Sequence, residues 1–123
     1  MSRLSCLLAL ALSLSCATEI TCPETDAEAH LDTQESSPGG LSVMLHQVGR
    51  ECPVVGDNVF SVDGMVVTEV DAVMTDMGHG STVDPVIAED GDLELYFQMP
   101  GSWELSLTGD GETVSFALDV VDP

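Results

Sequence analysis

From residue 41 to the C-terminus the chain alternates short apolar runs with turn residues every eight to twelve positions, the pattern of a small all-β sandwich. The clearest alternation sets Leu93, Leu95, Phe97 and Met99 against Glu94, Tyr96 and Gln98, then Trp103, Leu105 and Leu107 against Glu104, Ser106 and Thr108. Side chains on a strand point alternately to opposite faces, so each run buries one face. Pro100-Gly101-Ser102 between them predicts a hairpin. A second hairpin turn is expected at Gly109-Asp110-Gly111, before a last strand over 113–121 that buries Val114, Phe116, Leu118 and Val120. Earlier strands are expected over 41–48, 59–62, 66–77 and 86–88, with an irregular stretch at 49–58 and turns at Asp63-Gly64 and Asp90-Gly91-Asp92. About seven strands and no helix make an immunoglobulin-like β-sandwich the economical fold.

The pattern is different ahead of residue 41. Residues 1–15 carry Arg3, an apolar run over 7–14 and small residues before Cys16, the layout of a secretory signal too short to span a bilayer as a mature helix. Leu-Ser-Leu-Ser-Cys at 12–16 resembles a bacterial lipoprotein signal, which makes Cys16 the expected lipid-attachment residue, although Ser13 stands where an aliphatic residue is usual. Residues 16–40 are polar and acidic, without apolar periodicity, and predict a flexible linker. The expected order is thus a signal peptide at 1–15, a linker at 16–40 and one domain at 41–122, in an exported protein anchored to a bacterial envelope membrane, periplasmic or surface-exposed.

Charge and cysteines narrow the classes. The 22 acidic residues face two basic ones, Arg3 and Arg50, for a net charge of -20. Such a surface repels phosphates, which argues against nucleic acid as a partner, and it attracts cations. Acidity also simply supports solubility. With Cys6 in the leader and Cys16 lipidated, Cys22 and Cys52 remain as an even pair in an oxidising setting. A disulfide is the first reading, with two free thiols or a soft-metal pair as alternatives.

No nucleophile motif, phosphate loop, zinc spacing or calcium loop is present, so a non-catalytic role is expected. The remaining chemistry is soft. Met74, Met77 and His79 fall within six residues, and Met99 ends a core-facing run beside a turn. Thioether and imidazole donors together favour copper, Cu(I) especially. Methionine is also an ordinary core filler, the role that fits Met74. An extended backbone through Gly78 would put Met77 and His79 on one side. His46, with Met44 on the first strand, reads as a surface histidine, and His30 as a solvated linker residue or a flexible metal arm. Trp103 reads as a core anchor.

Met-Gly-His-Gly-Ser at 77–81 and Met-Pro-Gly-Ser-Trp-Glu-Leu at 99–105, with Gly-Asp-Asn-Val-Phe at 56–60, resemble the YtkA-like domain family over about residues 41–121. That resemblance implies a small extracytoplasmic immunoglobulin-like domain, often a lipoprotein, linked to envelope metal handling and to copper in particular. Its pattern falls on Met77, Gly78, His79, Met99, Gly101 and Trp103; Thr75-Asp76 departs from a common proline before the second methionine. The expected function is copper binding through Met77, His79 and Met99 in a carrier or sensor for a cell envelope protein. The alternative is an interaction module or surface lipoprotein with a structural Met-Gly-His loop.

Overall fold

The computed structural model describes residues 22–123. The expected signal peptide at 1–15 and the expected lipid-attachment residue Cys16 lie outside the described residues. Eight strands run in order β1 (Glu24–Glu35), β2 (Ser42–Arg50), β3 (Gly56–Asp63), β4 (Glu69–Met74), β5 (Val86–Ile87), β6 (Leu93–Phe97), β7 (Gly101–Gly109) and β8 (Glu112–Val120). They form two antiparallel sheets, β1-β2-β3-β6-β5 and β4-β7-β8. The expected all-β, immunoglobulin-like sandwich is therefore the fold, with eight strands among the described residues in place of about seven. No helix of the described residues is long and apolar enough to cross a membrane.

The core lies where the alternation placed it. Leu93, Leu95 and Phe97 of one sheet meet Trp103, Leu105 and Leu107 of the other, joined by Val114, Phe116, Leu118 and Val120, all buried. Phe97 packs on Trp103 with ring centroids 4.9 Å apart, and Phe60 meets Phe97 edge-on at 6.3 Å. Offset and edge-on pairs of this kind align positive ring edges with negative ring faces and add about 0.5–1.5 kcal/mol to area burial.

Two expectations are corrected. The run through Phe97 and the run from Trp103 do not pair as a hairpin: β6 belongs to the first sheet and β7 to the second, so the Pro100-Gly101-Ser102 connection crosses between sheets. The hairpin at Gly109-Asp110-Gly111 does form, with β7 paired to β8 from Gly101–Val120 through Gly109–Glu112.

The second correction concerns the linker. Residues 24–35 are not a tether but the edge strand β1, paired with β2 from Glu24–Arg50 to Glu35–Ser42. An edge strand needs only backbone partners on one side, so polar, exposed side chains are compatible with it. A bulge sets Leu31 and Asp32 against Leu45 and lets Leu31 pack on the core while His30 stays outside. The following residues are docked as well. Ser36 is buried, its hydroxyl donates to Glu112 Oε1 at 2.8 Å, and Ser37 exchanges backbone hydrogen bonds with Thr113.

Cys22 and Cys52 form a disulfide with Cα atoms 5.6 Å apart. Beyond it the irregular stretch before β3 is organised by Asn58, which is buried. Its Oδ1 accepts from the Val54 N–H at 3.0 Å and from Gln47 Nε2 at 3.1 Å; its Nδ2 donates to the carbonyls of Val54 (2.8 Å) and Gly56 (3.0 Å). Substituting Asn58→Ala strands those groups away from water. Leaving such groups unpaired costs about 1–3 kcal/mol, and urea denaturation should show a loss in the upper half of that interval with an unchanged m-value.

Candidate functional site

Met77, His79 and Met99 all sit at the end of the sandwich where β4 finishes and β6 crosses to β7. After Met74 the chain reverses rather than continuing as a strand. Gly78 N–H donates to the Met74 carbonyl and Met74 N–H to the His79 carbonyl, both at 2.9 Å, and Val73 bridges Gly80. Gly78 holds φ at +68°, in the left-handed region that favours glycine. The expected extended backbone through Gly78 is thus replaced by a turn with Met77 at its tip.

Two contacts bring Met99 to the same rim. Thr75 N–H donates to the Ser102 carbonyl at 3.1 Å, which ties the end of β4 to the crossover. Gln98 spans the other side: its Nε2 donates to the Gly80 carbonyl at 3.1 Å and its Oε1 accepts from Thr82 N–H at 3.3 Å. Ser81 Oγ donates to the Tyr96 carbonyl. His79 Nδ1 lies 3.3 Å from that same Gly80 oxygen, so the imidazole and the Gln98 amide converge on one acceptor. Met99 follows Gln98 directly, and its own carbonyl accepts from the indole Nε1 of Trp103 at 3.1 Å. The core tryptophan thereby fixes the backbone from which Met99 projects.

Exposure separates the methionines by role. Met74 is 4% exposed, and its terminal methyl lies 3.2 Å from where a Cβ on Gly101 would sit, with Gly101 at φ +131°. It is packing. Met77 is 57% and Met99 38% exposed, so neither sulfur fills the core. The three expected ligands share a rim, held by Gln98 and Ser81, which the sequence pattern did not single out. A polar residue in a strand alternation reads as solvent-facing, and only the fold shows that Gln98 reaches across to Gly80.

Elsewhere, Arg50 Nη2 sits 3.5 Å from Glu24 Oε1 at the surface, an exposed pair of the kind that contributes little to stability. Asp92 has its carboxyl held above the ordinary value, first by partial burial and then by the nearby charges of Asp90 and Glu28. Its negative charge at neutral pH therefore opposes folding, and the opposition is relieved as pH falls through its raised value. Among the described residues no group of three or more His, Cys, Asp or Glu side chains is assembled to hold a metal ion. A groove of about 480 Å³ lies beside Thr68, Val70, Pro85, Ile87 and Thr108, away from the methionine rim.

The fold and rim define a strongly acidic, disulfide-linked β-sandwich presenting two thioethers and an imidazole at one end. The chain matches no family model, no curated protein and no solved structure.

Proposed function

We propose that this protein is an exported, lipid-anchored, non-catalytic β-sandwich that binds copper through Met77, His79 and Met99 and carries or senses it for a cell envelope protein. The observation that carries this reading is the exposure of Met77 and Met99 on the rim that also bears His79. A solvated thioether gains nothing from packing, and two beside an imidazole make a donor set suited to Cu(I). The negative surface raises the local concentration of any cation. The Cys22–Cys52 disulfide supports an oxidising compartment. Lipidation at Cys16 and a YtkA-like identity rest on the sequence resemblances alone.

Competition against a chromophoric Cu(I) chelator tests the site. Met77→Leu, His79→Asn and Met99→Leu together should weaken Cu(I) binding by about two orders of magnitude, since thioether and imidazole are the donors that match this soft ion. Unchanged affinity in the triple variant would leave the rim as an apolar contact for a protein partner, with the Met-Gly-His turn purely structural.

A further inference from the structure

The two lateral sides of the sandwich differ. On one, Ser37 exchanges backbone hydrogen bonds with Thr113, and the N–H groups of Val55 and Val121 donate to the carbonyls of Val121 and Pro53, so β8 and the residue after it are stitched to the stretches that follow β1 and precede β3. On the other, β4 ends the three-stranded sheet and the two-residue β5 ends the five-stranded one. The groove of about 480 Å³ is lined from both of these edges.

The main-chain direction along β4 follows from its end. Thr75 N–H donates across to the Ser102 carbonyl, whereas Met74 N–H turns away from β7 to the His79 carbonyl. Backbone groups alternate in direction along an antiparallel strand, and β4 pairs with β7 without a bulge, so Ala72 and Val70 also direct theirs away from β7. The turn that sets Gly80 opposite Val73 covers the Ala72 end. Val70 is left at the groove with a donor and an acceptor suited to an added strand.

The lining combines two chemistries. Val70, Pro85 and Ile87 supply apolar surface, while Glu69 and Asp71, both exposed and two residues apart on one strand face, place carboxylates roughly 7 Å apart. No lysine or arginine of the described residues serves them, since the one such residue, Arg50, pairs with Glu24. An extended segment repeats its own side chains on one face at the same spacing. Arginines at alternate positions would therefore meet both carboxylates with their aliphatic stems against the apolar wall. The net charge of -20 opposes a second copy of this chain as occupant.

We propose that the groove between β4 and β5 docks an extended segment of a partner protein with arginines at alternate positions, added as a short strand beside Val70 and paired with Glu69 and Asp71. This assignment is independent of the copper rim.

Calorimetric titration with the acetylated, amidated peptide Arg-Val-Arg-Val, in about 0.15 M salt to screen the diffuse surface charge, is the test. One peptide should bind per domain, with amide resonance shifts centred on residues 68–71 and 85–87. Glu69→Gln/Asp71→Asn should weaken binding by about tenfold, the worth of two exposed ion pairs. Ile87→Ser should weaken it by about threefold through lost apolar contact. Asp26→Asn/Asp57→Asn removes the same charge elsewhere on the surface and should leave the affinity within about twofold, because distant charges are screened. The Met77→Leu/His79→Asn/Met99→Leu variant should bind as wild type. Ile87 and all four substituted acidic residues are exposed, so these variants retain the fold, checked by near-ultraviolet circular dichroism of Trp103. Absence of saturable binding, or equal losses in the two acidic double variants, overturns the proposal. Displacement of the peptide by spermine at matching concentration also overturns it, by making the groove a site for a small polyamine.

Discussion

Replacing Trp103 with alanine should destabilise the domain by about 3–5 kcal/mol, the span measured for removing large aromatic side chains from packed cores. Trp103 is fully buried, packs at a tilt against Phe97 and lies opposite Met74 and Leu118 in its own sheet, so no neighbour can collapse into the gap without breaking a ladder. A single domain of this size has only about 5–15 kcal/mol in total. Guanidinium denaturation should therefore show the midpoint falling by a large fraction of its wild-type value. Trp103→Phe keeps most of the bulk but removes the indole donor to the Met99 carbonyl. That variant should lose much less stability while loosening the crossover, and if Met99 binds copper the affinity should drop with the fold intact. Equal stability losses in the two variants would mean that the hydrogen bond, not the ring volume, is what the core needs.

The second large effect is expected on the disulfide. Cys22 and Cys52 are 30 residues apart, and closing a loop of that length restricts the unfolded chain by about 3–4 kcal/mol in the chain-entropy account. The loop contains all of β1 and β2, so Cys22→Ser/Cys52→Ser should act unevenly. β1 is an edge strand with mostly exposed side chains and should open before the core does. Amide exchange should speed up first over residues 24–35, while Leu105 and Phe116 in the second sheet stay protected until global unfolding. Uniform acceleration across both sheets would contradict this order.

The sequence made the buried faces legible and left their assembly open. Alternation through Phe97 and again from Trp103 reports that both runs face a core, yet it does not report which sheet each joins. A hairpin would set Phe97 and Trp103 side by side in one sheet, whereas the crossover sets them against each other from opposite sheets, with ring centroids 4.9 Å apart and planes tilted by 58°. Both arrangements have the same periodicity and the same Pro-Gly-Ser connection. β1 was illegible for another reason: its residues satisfy the backbone ladder without contributing an apolar face, apart from Leu31, and polar composition alone resembles a tether. The rim was partly legible. Soft donors at 77, 79 and 99 stood out by type, and the exposure of Met77 and Met99 separates them from Met74, which composition could not. Gln98 was invisible because its role depends on Gly80 being folded back beside it.

The acidity of β1 also governs how two copies of this chain meet. An open sheet edge is a template for adding another strand. Here that edge carries Glu24, Asp26, Glu28, Asp32 and Glu35, so a second molecule approaching strand to strand would align carboxylates against carboxylates. The long outer strand can thus be polar enough to be mistaken for a tether and still protect the sandwich from fibrous self-association.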